Sequence, residues 1–252
     1  MQKIPQQKIC ELLSTVNGTF GIYVKNIDSD ETFTVNADVV FPAASIIKIP
    51  LLAFLLKKVE DGSIDWNAPV DIAASNRVGG TGILAQLDES YSPSVKSLAL
   101  LMITLSDNTA TNQIIDMVGM EEFHTFCLEL GYKDTILMRK MLDFEGIKAG
   151  KNNYTTVNEM GDLLCKVCQS TLVSPWVSAQ IFEILSKQQC RNKLPAFIPA
   201  VPSWASQQDR ENLKPNTVLV ANKTGDLTCI QHDVGIFTLP NKSKYIIAAF
   251  SS

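Results

Sequence analysis

Phe41-Pro42-Ala43-Ala44-Ser45-Ile46-Ile47-Lys48-Ile49-Pro50 runs directly into the apolar stretch Leu51 to Leu56. A serine and a lysine at this spacing lie on one face of a helix, about one turn from each other. Nearly every position around them is apolar, so the helix is expected to be buried. A buried hydroxyl and a buried ammonium group are costly unless partners satisfy them. Such a lysine is either neutralised by burial or held by polar neighbours, and either route makes it useful as a base. The plain alternative is a capping serine with a lysine whose head reaches the surface.

Later stretches shift the balance. Ser106-Asp107-Asn108 follows the apolar run Leu98 to Leu105, and Lys223-Thr224-Gly225 follows Val218 to Ala221. Ser-x-x-Lys, Ser-Asp-Asn and Lys-Thr-Gly in this order are the combined signature of class A β-lactamases and penicillin-binding proteins. Over most of residues 18 to 250 the chain therefore resembles that serine hydrolase superfamily, nearest to class A. Gly80-Thr81-Gly82-Ile83-Leu84 and Asn108-Thr109-Ala110-Thr111-Asn112 are similar to the family's sequence around the second motif.

At 252 residues and 46% hydrophobic, the chain can bury a large core. A net charge of −4 with scattered charges gives no basic surface for nucleic acid. The apolar stretches are too short or too interrupted to span a bilayer, and Met1 to Lys8 has no signal-peptide core. The expected location is the cytoplasm, or outside the cell if a signal has been removed. Cysteines at 10, 127, 165, 168, 190 and 229 suit free, mostly buried thiols rather than a disulfide framework. Cys165-x-x-Cys168 lacks the second pair that zinc requires, and its neighbours read as an ordinary helix face. No metal and no cofactor is expected, and the partner is a small-molecule substrate met by a monomer.

In chain order, residues 3 to 16 read as an amphipathic helix with Ile9, Leu12, Leu13 and Val16 on one stripe. Thr19 to Ile27 and Thr32 to Val35 form a hairpin, followed by the Ser45 helix to about Glu60. Helices are expected over 94–105, 108–118, 121–130, 156–170 and 175–187. Residues 139 to 154 read as a long loop and 194 to 204 as irregular chain. Strands return at 217–223, 233–239 and 244–250. Five strands divided between the chain ends predict one antiparallel sheet built from both termini. The expectation is an α+β fold in a single domain: an α/β/α sheet lobe (1–60 and 211–252) beside an all-helical lobe (61–210). The resemblance implies the same fold, with the site in the crevice between lobes.

The resemblance also assigns roles. Ser45 is the acylated nucleophile at a helix N-terminus, and Lys48 shares in deprotonating it if its pKa is lowered. Ser106 relays a proton to the leaving nitrogen, while also being placed to cap the next helix. Asn108 binds the substrate's amide carbonyl; Lys223 and Thr224 meet its carboxylate; Gly225 permits close approach. The backbone N–H groups of Ser45 and Asp226 form the oxyanion hole. His232 stands where the family often has a basic carboxylate contact, or is simply a strand-start histidine. His124 reads as structural.

Three departures follow. The glutamate that activates the deacylating water in class A is absent from Arg139-Lys140-Met141-Leu142-Asp143-Phe144-Glu145; ungapped counting puts Met141 near its place. Asp143 or Glu145 would have to substitute, and Glu145 is the candidate base. Asp226 adds negative charge beside the expected carboxylate position. The family usually ends in a helix over the sheet, whereas this sequence stops at Ser252, leaving cover to the N-terminal helix. The implied activity is hydrolysis of β-lactam amides through a Ser45 acyl-enzyme. The alternatives are a penicillin-binding-type peptidase or esterase, or a sensor that is acylated and stays so. A Ser-His-Asp hydrolase is disfavoured by the lack of Gly-x-Ser-x-Gly and by having only two histidines.

Overall fold

The computed structural model describes residues 3–252. Met1 and Gln2, the start of the segment read above for a signal, lie outside the described residues. In order, the chain forms α1 (Gln6–Ser14), β1 (Phe20–Asn26), β2 (Thr32–Val35) and β3 (Phe41–Pro42). A 3-10 turn (Ala44–Ile47) leads into α2 (Lys48–Glu60), then come α3 (Val95–Thr104), α4 (Asn108–Val118) and α5 (Met120–Glu129). The remainder is α6 (Phe144–Lys148), β4 (Tyr154–Thr155), α7 (Val157–Cys168), α8 (Pro175–Ser186), α9 (Gln207–Glu211), β5 (Leu219–Leu227), β6 (Ile230–Thr238) and β7 (Lys244–Ser251).

The main sheet is antiparallel throughout, in the order β2-β1-β7-β6-β5. The first and last strands of the chain pair in its middle, as the division of strands between the termini predicts. β5 is consequently an edge strand, with one side free to line a cleft. β3 and β4 pair separately.

α2 is the buried axis. Every residue from Lys48 to Leu56 is buried, so its apolar surface is continuous around the helix rather than confined to a stripe. Pro50 falls in its first turn, where a missing N–H has no intrahelical partner to lose. α3, α4 and α8 pack around α2, and their starts are fixed by side-chain caps from Ser94, Asp107 and Ser174. α7 lies on the sheet because Gly161 has no side chain: a Cβ there would come within 2.5 Å of the Tyr23 ring. The core thus joins the inner sheet face (Tyr23, Val234, Ile246, Phe250) to the helices without a break.

Three expectations change. α1 forms, but its apolar stripe is not buried: Leu12 is 60% exposed and Val16 52%. The outer face of β5 and β6, at Val218, Val220 and Phe237, is instead covered by Leu194, Ile198 and Ala200 of the irregular segment. The 139–154 loop contains α6, a single turn capped by Asp143, too short to leave a periodic pattern. The cysteines are all free, but Cys10 and Cys229 are exposed while Cys127 and Cys165 are buried. No helix among the described residues is long and apolar enough to cross a membrane.

Asp107 ties the site region together. It is 1% exposed, and its carboxylate accepts from Ile83 N (2.7 Å), Leu84 N (2.8 Å) and Ala110 N (2.9 Å). It caps α4 and also holds residues 79–84 over the end of α3. Asp107→Ala is expected to lower unfolding free energy by about 3 kcal/mol, since buried N–H groups lose their acceptor. Asp107→Asn should fall between the two. Urea denaturation measures this, and a loss under about 1 kcal/mol for the alanine variant would refute the brace.

Candidate active site

Ser45 sits in the 3-10 turn ahead of α2 rather than in the helix proper, and Ala44 before it has a left-handed backbone (φ 47°). Ser106 (φ 54°) and Leu142 (φ 58°) share that conformation, which costs non-glycine residues energy. All three line one cleft of about 520 Å³, with Ser45, Gly80, Thr81, Asn108, Arg139, Met141, Cys190, Thr224 and Asp226 among its walls. Three of the ten non-glycine residues with positive φ among the described residues therefore surround the candidate nucleophile.

Lys48 is fully buried. Its Nζ lies 2.8 Å from Ser106 O, 3.0 Å from Ser106 Oγ and 3.0 Å from Asn108 Oδ1. Burial pushes its pKa well below the usual lysine range, and the Lys223 charge pushes the same way. A neutral amine fits these contacts: it donates to the two carbonyl oxygens and accepts from the Ser106 hydroxyl. Ser106 and Asn108 are placed by the sharp turn between α3 and α4, whose φ at Ser106 aims both backbone and side-chain oxygens at Lys48.

Lys223 on β5 is also fully buried, and its Nζ donates to Thr224 O at 2.8 Å. Burial lowers its pKa to about 8, against the opposing pull of Cys190, Asp233 and Asp226. Burial thus moves both lysines toward the neutral amine, and Lys223 keeps its charge up to about pH 8. Gly225 lets β5 press against the nucleophile turn: a Cβ there would lie 3.3 Å from Ser45 N and 3.2 Å from Ala44 Cβ. That contact brings the start of Asp226 beside the Ser45 N–H, as an oxyanion pair requires. Asp226 itself lines the cleft, ion-paired to Lys193 at 2.8 Å.

Two sequence assignments need correction. His232 is 1% exposed and lies beneath β3, its ring packed between Phe41 and Phe250. Its Nε2–H donates to Pro42 O, and Nδ1 accepts from Ser251 N. Burial lowers its pKa, so it is a neutral structural ring rather than a carboxylate contact. Glu145 is on the solvent side of α6, 84% exposed and paired with Lys148 at 2.7 Å. Asp143 caps α6, and neither carboxylate lines the cleft. Met141 and Leu142 occupy that wall instead. Their position is fixed, because Asn112 bonds both Met141 N (2.7 Å) and Met141 O (3.2 Å).

A model of the β-lactamase enzyme family matches residues 4–252. The chain belongs to the β-lactamase enzyme family. It is a serine hydrolase of the α+β fold typical of that family. Among curated relatives, the extended-spectrum β-lactamase PER-1 of Pseudomonas aeruginosa is 22% identical, over 97% of this chain and 78% of its own length. Among solved structures, PBP-A superposes with a TM-score of 0.83 at 29% identity, covering 98% of this chain and 86% of that one. A leucine-to-glutamate variant of PBP-A has been captured as an acyl-enzyme with penicillin G. A β-lactamase from Sphaerobacter thermophilus superposes with a TM-score of 0.85 at 26% identity, covering 99% and 89%.

Sequence reading did not find Lys193, Arg139 or Cys190. Arg139, 8% exposed, is held by Lys140 O and Asn152 Oδ1. Lys193 comes from a proline-interrupted segment with no periodicity, and only its nearness to Leu194-Pro195 before β5 marked it. Lys223→Met is expected to stabilise the fold by about 1–3 kcal/mol at pH 7, since it removes a buried ammonium. Below pH 8 native and unfolded lysine both carry the proton, so the full burial cost stands. Between about 8 and 10.5 the native lysine sheds it while the unfolded one keeps it, so wild-type stability rises with pH. The gap between the two proteins should therefore narrow. Denaturant unfolding at both ends of that range reads it, and a gap that widens would contradict the assignment.

Proposed function

We propose that this hydrolase is acylated at Ser45 by β-lactams and related amides or esters. The observation that carries the reading is the buried Lys48, bonded at 3.0 Å to the Oγ of Ser106, which lines the same cleft as Ser45, with burial pushing the lysine's pKa well down. Ser45 Oγ attacks the carbonyl carbon and its proton passes to the Lys48 amine. The oxyanion is received by the N–H groups of Ser45 and Asp226. As the C–N bond breaks, Lys48 returns the proton through the Ser106 hydroxyl to the leaving nitrogen. Asn108 holds the substrate's amide, and Lys223 with Thr224 holds its carboxylate. Water then hydrolyses the Ser45 ester.

A slow second half-reaction is favoured by one specific observation: Met141 and Leu142 line the wall where a carboxylate would activate water. Misplacement of a base by about 1 Å is enough to lose much of its effect, and Glu145 faces solvent. The acyl-enzyme therefore accumulates, and the behaviour approaches that of a penicillin-binding protein. The acyl-enzyme captured with penicillin G in a leucine-to-glutamate variant of PBP-A supports the acylation step of this reading.

Intact-mass spectra after mixing with benzylpenicillin should show an adduct that persists for minutes or longer and is absent in Ser45→Ala. Met141→Glu should shorten its lifetime by about a hundredfold, the lower end for a positioned general base. An adduct in Ser45→Ala would displace the nucleophile; an unchanged lifetime in Met141→Glu would remove the loop from the argument. With an anionic substrate, the acylation rate should fall as pH rises through about 8, where Lys223 loses its charge. A flat profile from 7 to 9.5 would contradict that role.

A further inference from the structure

Asp226 is the one acidic side chain among the described residues that line the cleft. Its carboxylate is held by Lys193, whose Nζ lies 2.8 Å from Asp226 Oδ1, 2.8 Å from Gly225 O and 3.2 Å from His232 O. Three acceptors satisfy the three N–H bonds of an ammonium, so Lys193 is committed to bracing the β5–β6 end. Exposure separates the partners: the Lys193 side chain is 15% exposed and the Asp226 side chain 58%. A molecule in the cleft therefore meets the carboxylate first, with the compensating charge behind it.

The fold also says which part of a substrate passes this point. β5 is the free edge of the sheet, so an extended amide docks along it as an added strand. Alternation puts Thr224 and Asp226 on the same face of β5, and both line the cleft. At Lys223 that course is buried; beyond Asp226 it opens between Leu227 and Ile230 on one side and Phe144 and Ile147 on the other. A substrate held with its carboxylate at Thr224 and its carbonyl at Ser45 would direct its acyl substituent toward this open end. The other charged side chain lining the cleft is Arg139, whose two terminal nitrogens bond Lys140 O and Asn152 Oδ1, while Asp233 is buried against Asn222 and the Leu194 N–H.

We propose that Asp226, pinned by Lys193, is a specificity-determining residue that selects acyl groups bearing a cationic substituent such as a primary ammonium and disfavours anionic ones. This rests on the reading of Ser45 as the acylated nucleophile. The carboxylate forms no covalent bond; it changes the free energy of docking before attack.

The test uses the whole protein and three penicillins that share one bicyclic core: ampicillin (ammonium on the side chain), benzylpenicillin (neutral) and carbenicillin (carboxylate). Second-order acylation rates are measured for wild type, Asp226→Asn, Asp226→Glu and Lys193→Met. Asp226→Asn should lower the ampicillin-to-carbenicillin rate ratio by about tenfold, the order expected for one unit charge a few ångströms away at a protein–water boundary. Asp226→Glu should preserve the ratio, and Lys193→Met should raise it by removing the counter-charge. If Asp226→Asn slows all three equally, the pair is only a brace and the inference fails while the Ser45 reading survives. If none of the three acylates wild type, the Ser45 reading fails and this inference with it.

Discussion

A lysine buried without a carboxylate partner is the constraint on which the site depends. Lys48 lies inside the most apolar helix of the chain, and Lys223, itself buried, adds a second positive charge to its surroundings. Neither an ion pair nor solvent relieves it; the acceptors at hand are the oxygens of Ser106 and Asn108. Burial shifts such a group toward the neutral amine, the form in which a lysine can serve as a base. Reactivity here follows from the difficulty of burying a charge. The geometry that supplies those oxygens is itself strained at Ser106, so the core helices must hold in place a turn that would otherwise relax.

The holding is done at two levels. Capping fixes the helix starts, and at α4 the capping carboxylate also reaches across to Ile83 and Leu84, so that one side chain positions both the Ser106 turn and the wall facing it. On the opposite side, β5 is rigid because β6 and β7 back it, while Gly225 lets its edge touch the Ser45 turn. A helix-end wall and a strand-edge wall are thus built independently and meet at the nucleophile. Their junction is held by a core that runs continuously from sheet to helices.

Legibility in the sequence followed the range of the interaction. Short motifs fix each local backbone, and the structure places Ser45, Ser106, Asn108 and Thr224 along one cleft, with Lys48 bonded behind Ser106 and Asn108 and Lys223 buried against Thr224 O. The sheet was readable from period-2 strands at both ends, and the helices from apolar periodicity with capping residues. What failed were assignments by position alone. His232 lies at the expected place in the chain, but its ring turns under β3 because Phe41 and Phe250 offer it an apolar slot with two backbone partners. Glu145 lies in the expected loop, but a single helical turn directs it to solvent. Lys193 escaped notice because its meaning comes from β5 and β6 carbonyls 32 and 39 residues away.

The loop wall bears most directly on turnover. Had the segment around Met141 been loosely held, a nearby carboxylate such as Asp143 could swing in to activate water. Asn112 grips Met141 by both backbone groups, and Asn153 holds the N–H groups of Met138 and Arg139 at 2.9 and 3.1 Å. Asp143 is itself occupied in capping α6. Each carboxylate in the loop has a structural task that faces away from Ser45, and the side chains that do face the cleft cannot accept a proton. A rigid loop wall without a base therefore stands in the same cleft as Ser45 and Ser106, and the proposed slow deacylation rests on that arrangement. In the proposed mechanism the residues of this one loop, rather than Ser45 or Lys48, set the balance between hydrolysis and a long-lived acyl-enzyme.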